Sequence, residues 1–122
     1  MMDSNLLGSF GEAKAAEYLR KKGWRVVGMN YRTRFGEIDV IAEKGRYLVF
    51  AEVKLRKDAS HGSGREFVTE RKQKKLILAA ESYLQTHPTE LQPRFDVIEI
   101  YAPEGASGKV SLTHLENAFE AD

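Results

Sequence analysis

The sequence contains no cysteine. Disulfides, thiol nucleophiles and zinc–thiolate centres are therefore excluded, and a reducing compartment suits the chain. Apolar runs are short, none approaching the ~18 residues of a membrane span. The start, Met1-Met2-Asp3-Ser4, lacks the basic and apolar regions of a signal peptide. A cytoplasmic protein with no membrane association is the expectation. Histidine is sparse: His61, His87 and His114 are dispersed, without metal-ligand spacing, and His61 is expected to be inert. There is no internal repeat, low-complexity tract or linker, so the 122 residues are expected to form one domain over 1–122.

A hydrophobic fraction of 42% and a charged fraction of 30% describe an ordinary globule with enough apolar material for a core. The net charge of +1 hides an asymmetry. From Val53 to Lys75 eight basic residues face three acidic ones, a local net of +5, while Glu104 to Asp122 carries −3. A segment of that sign suits a polyanion, although a solvated helix face explains it equally well.

The centre of the chain holds charge where the pattern is most apolar. Gly36-Glu37-Ile38-Asp39 is followed, after twelve intervening residues, by Glu52-Val53-Lys54. Residues two apart on a strand share a face, so Glu37 aligns with Asp39 and Glu52 with Lys54. Leu48, Phe50 and Glu52 lie on one face and Tyr47, Val49, Ala51 and Val53 on the other. Both faces are apolar, which predicts a central strand covered on both sides.

Around this centre the pattern predicts a helix to about Lys22, capped by Ser4 or Asp3, with a stripe of Leu6, Phe10, Ala13 and Ala16, and ended by Gly23. Strands follow at Trp24–Tyr31, Glu37–Ala42 and Arg46 to about Lys54, the last two joined by a tight turn at Lys44-Gly45. A polar loop over Leu55–Val68 leads to a second helix, about Thr69 to Gln85, with a stripe of Leu76, Ile77, Ala80, Tyr83 and Leu84 and a stop at His87-Pro88. Phe95–Tyr101 reads as a strand and Lys109–Leu115 as a candidate edge strand. The core, about residues 6–101, is an α/β unit of order αβββαβ with a mixed sheet, and 102–122 form a short extension.

Burying charge without a partner is costly, so three ionisable groups in such strands suggest a site. Asp39 and Glu52 offer carboxylates to one hard divalent ion, with the Val53 carbonyl as a third oxygen. Lys54 then stands over a reacting phosphate, orienting or deprotonating the attacking water or neutralising charge in the transition state. Mg²⁺ or Mn²⁺ at such acids is equipment for phosphodiester hydrolysis. A structural ion pair is the alternative reading. Glu37 is an outer acid of this site or a partner of Arg32 or Arg34; Gln73 reaches the site or caps a core edge. Arg32, Arg34, Arg56, Lys57, Lys72 and Lys75 are candidate phosphate contacts, giving affinity without reading sequence.

Together these residues resemble the PD-(D/E)XK nuclease superfamily and, within it, the YraN family. The resemblance rests on Gly8, Gly11-Glu12, Ala15, Tyr18-Leu19, Gly23-Trp24, Asn30-Tyr31-Arg32, Phe35 to Asp39, Phe50, Glu52-Val53-Lys54, Thr69 to Lys72 and Arg94 to Val97. It implies a restriction-endonuclease-like fold and Mg²⁺-dependent cleavage of nucleic acid, with DNA as the expected partner. Asp39 and Glu52 match the metal ligands and Lys54 the catalytic lysine, while Ile38 stands where the motif has its proline. The archaeal Holliday-junction resolvases are the nearest functional analogues. Glu12 matches their helical acid near the metal, although a solvent-facing helix acid would look the same, and their dimers imply a homodimer. Structured or branched DNA in repair or recombination is the implied substrate. A nuclease fold that binds nucleic acid within a larger assembly without cutting it is the alternative, and a purely structural interaction domain is a third reading.

Overall fold

The structure, a computed structural model, describes residues 4–57 and 68–121. Its elements are α1 (Ser4–Lys21), β1 (Arg25–Thr33), β2 (Gly36–Lys44), β3 (Tyr47–Arg56), α2 (Glu70–Thr86), β4 (Gln92–Tyr101), a 3-10 turn at Gly105–Ser107 and β5 (Ser111–Phe119). Among the described residues one mixed sheet runs in the order β1-β2-β3-β4-β5, in which neighbours are antiparallel except β3 and β4, which are parallel. Their shared direction requires a crossover, which contains α2. The expected order αβββαβ is present, and the candidate edge strand is β5. Asp3, the Leu6 side chain, His61 and most of the expected polar loop lie outside what is described; Ser4 lies within α1.

The two helices pack against β3 from opposite faces, as its doubly apolar pattern predicts. On one face Val49 and Ala51 meet Ala15 and Leu19 of α1, with Ile98 and Ile100 of β4 beside them. On the other, Leu48 and Phe50 meet Ala79, Ala80 and Tyr83 of α2. The stripe expected for α1 needs correction: Ala13 is exposed, and Gly11, Ala15, Ala16 and Leu19 form the buried side. Gly11 lies on that buried side. A Cβ there would already touch Val53 and Leu55, at 3.7 and 3.6 Å, so the helix lies low over the end of β3 on its glycine side. Gly23 ends α1 with φ 91°, letting its own N–H and that of Trp24 donate to the carbonyls of Arg20 and Leu19.

Beneath α1 lies a buried polar network that the strand pattern does not foretell. Asp96 on β4 is 1% exposed. Arg94 donates to it through Nε (2.9 Å) and Nη2 (2.8 Å), His114 Nε2 lies 2.6 Å away, and the Asn117 N–H donates at 3.0 Å. The β4–β5 register jumps between Phe95 and Val97, and Asn117, at φ 50° in the displaced stretch of β5, turns its N–H toward Asp96. Burial pushes the Asp96 carboxyl up, but the hydrogen bonds from His114, Arg94 and Asn117 outweigh it and hold it below the usual range. Arg94 lies between Trp24 and Tyr47, 5.3 and 4.7 Å from their ring centres, and Tyr18 bonds His114 Nδ1 at 3.0 Å. His114 is thus a structural residue joining α1, β4 and β5.

Candidate functional site

The site forms where β2 and β3 part. Their antiparallel pairing runs from Lys44↔Tyr47 only as far as Val40↔Ala51. Beyond that point residues 36–38 stay with β1, while Glu52 to Arg56 stay with β4. The Val53 N–H, left without a β2 carbonyl, donates instead to Asp39 Oδ2 at 2.8 Å. This holds the Asp39 carboxylate in the notch beside Glu52, to which it is hydrogen-bonded. From α1, Glu12 reaches the same notch, and carboxylate oxygens of Glu12, Glu37 and Asp39 lie within 4.8 Å of one another. Glu37 therefore does both things expected of it as alternatives: it joins the acids and pairs with Arg32 at 3.5 Å.

Packing so many carboxylates together has an electrostatic consequence. Burial, then the Glu52 charge, pushes the Asp39 carboxyl up to about 8. Glu12 is also raised, by burial first and then by Glu37 and Glu52, against a lowering hydrogen bond from Asn30. The donors are hard oxygens without sulfur or imidazole, which fits Mg²⁺ or Mn²⁺ rather than zinc. Stability should carry the mark of Asp39. Below pH 4 the group is protonated in both states. Between about 4 and about 8 the unfolded chain has released a proton that the folded one keeps, so the contribution is lost as pH rises through that window. Urea unfolding with chelator should show wild type losing more stability than Asp39→Asn between pH 5 and 8.5; parallel curves would contradict this.

The lysines and arginines divide into two groups. Lys54 is half-buried and shares the strand face of Glu52. Lys72, in the first turn of α2, lies 2.5 Å from Glu52 Oε1. Lys75, one turn on, is exposed next to Gly36. Arg34 and Lys57 are exposed, with Arg34 folded over Phe35 at 4.8 Å, and Arg32 is exposed beside Glu37. Arg56 is a correction to the phosphate-binding set. It is buried, and its Nη1 bonds Glu99 Oε1 at 2.9 Å, because the sheet continues to Arg56 instead of yielding to a loop at Leu55. Gln73 turns from the notch and caps the Val68 carbonyl at 2.9 Å.

Asn30 was legible only as part of the family resemblance, yet it contacts Glu12 from β1 with a left-handed φ of 52°. An asparagine in that conformation is a local signal of a special position. The β1–β2 register also shifts between Val26 and Gly28, earlier on the same strand.

A family model described as "Uncharacterised protein family UPF0102" matches residues 11–100, a span that includes every acid of the notch, Lys54 and Lys72. A UPF0102 protein of Chlorobium phaeobacteroides (strain BS1) is 46% identical over 117 residues, covering 93% of both chains. One from Syntrophomonas wolfei is 43% identical over 93% of this chain and 96% of its own. Another, from Symbiobacterium thermophilum, is 42% identical over 97% and 99% respectively. The chain belongs to the UPF0102 family, which is the YraN family that its motifs resemble.

Proposed function

We propose that the chain has a PD-(D/E)XK nuclease fold and is a divalent-cation-dependent endonuclease acting on structured or branched DNA. The observation that carries this reading is the parting of β2 and β3 around Asp39 and Glu52, with Lys54 on the Glu52 face. Asp39 and Glu52 would hold Mg²⁺ or Mn²⁺, with the Val53 carbonyl alongside and Glu12 from α1. The ion would supply Lewis-acid polarisation of a phosphoryl oxygen and a bound water of lowered pKa. Lys54, on the Glu52 face of the same strand, would orient the attacking water or neutralise charge in the transition state. The Val53 N–H keeps Asp39 oriented, and Asn30 does the same for Glu12. Arg34, Lys57 and Lys75 give the substrate backbone a positive rim.

Cleavage of labelled duplex, single-stranded and four-way-junction DNA, with Mg²⁺ or Mn²⁺ against chelator, tests the reading. Cutting that requires the metal and is lost in Lys54→Ala, with binding retained, supports it. Binding without cutting on every substrate would favour a non-cleaving nucleic-acid-binding role within a larger assembly. The Glu52–Lys72 ion pair is the observation that suits that second reading, since it satisfies one of the acids internally.

The rim makes its own prediction. Arg34→Ala and Lys75→Ala should each weaken DNA binding and lower the slope of log affinity against log salt by about 0.9 per lost phosphate contact. Arg56→Ala should leave the slope unchanged in protein that remains folded, because its guanidinium is bound to Glu99. Binding isotherms at several salt concentrations decide between the two groups.

A further inference from the structure

Lys72 is awkwardly placed for a lysine whose only task is to hold substrate. Its Nζ lies 2.5 Å from Glu52 Oε1, and Glu52 is 7% exposed, so the ammonium neutralises an acid that the proposed chemistry needs for a cation. The backbone supports this placement. Thr69 caps α2 and accepts the Lys72 N–H at 3.2 Å, which places Lys72 in the first turn, where the helix end adds further positive potential. The Lys72 side chain is nevertheless 41% exposed. It can leave Glu52 for solvent without unpacking the core, and the exposed Lys75 lies one turn along the same helix.

An ammonium and a divalent ion compete for the same Glu52 oxygen and repel each other at contact distances. We propose that Lys72 is a resident counter-ion of Glu52 that a divalent cation must displace, and that the displaced ammonium then binds a phosphate of the nucleic acid. The inference rests on the cation-dependent reading above and adds a coupling to it. Metal alone binds against Lys72, whereas nucleic acid that draws Lys72 away favours the metal, and by reciprocity the metal favours nucleic acid. The same exchange accounts for the ion pair that otherwise suits a non-cleaving role.

Calorimetric titration of the full chain with Mn²⁺, without nucleic acid, tests the proposal. Lys72→Met keeps the length of the side chain and removes its charge, while Lys72→Arg restores the charge. Lys72→Met should bind Mn²⁺ about tenfold more tightly than wild type, and Lys72→Arg should stay near wild type. Thermal unfolding establishes that each variant is folded. A folded Lys72→Met variant whose Mn²⁺ affinity is unchanged or weaker overturns the counter-ion role and leaves the nuclease reading standing. If no variant binds Mn²⁺ and wild type does not either, both readings fall.

Discussion

Asp39→Asn is expected to reduce cleavage by about 10³-fold or more while making the metal-free protein more stable above pH 7. The two effects share one cause. Asparagine keeps an oxygen for the Val53 N–H, so the notch retains its shape, but it removes the charge that a divalent ion would use. Without metal that charge is a liability, because burial and the neighbouring Glu52 push the Asp39 carboxyl up to about 8. Single-turnover cleavage, Mn²⁺ titration and urea unfolding with chelator should be run on the same preparation. Loss of cutting and of metal affinity, with a higher unfolding midpoint at pH 8.5, is the expected combination. A variant that cuts normally would remove Asp39 from the chemistry. One that is less stable at that pH would show the carboxylate to be a structural partner.

The second large effect concerns stability. Asp96→Ala should destabilise the fold by about 3–5 kcal/mol, since it leaves the partly buried Arg94 with only the longer 3.8 Å contact to Glu116 and removes the partner of His114 and of the Asn117 N–H. Domains of this kind are stable by only about 5–15 kcal/mol, so the variant should be marginal at 37 °C and melt roughly 10 °C or more below wild type. Asp96→Asn should lose less, because an amide oxygen still accepts from Asn117 or Arg94. Denaturant titration of both variants measures the difference. An Asp96→Ala loss below about 1 kcal/mol, the size of an ordinary surface change, would show that the ion pairs contribute little.

Much of the fold was readable from local pattern. A run apolar on both faces marked β3, alternation marked β4, and Gly23, Lys44-Gly45 and His87-Pro88 marked the turns around the strands and helices. These signals belong to short stretches, where backbone period and glycine conformation decide the outcome. The facing of α1 was not readable in the same way. Ala13 and Ala15 are chemically alike, and which of them is buried follows from how α1 docks, with its Gly11 side over the end of β3. Arg56 misled for a related reason: a basic residue after Lys54 reads as the start of a loop until β4 is seen to continue the sheet alongside it through Arg56↔Tyr101.

What the sequence determined by itself was the inventory and its faces. Asp39, Glu52 and Lys54 lie on apolar strands because period-two alternation places them there. What only the tertiary structure decided was their meeting. β2 and β3 cease pairing at Val40↔Ala51, so Asp39 takes the Val53 N–H. α1 delivers Glu12 to Asp39 and Glu37, and α2 delivers Lys72 to Glu52. The physical reason is range: alternation is a property of neighbours in the chain, whereas a parted strand pair and two docked helices depend on contacts between distant residues.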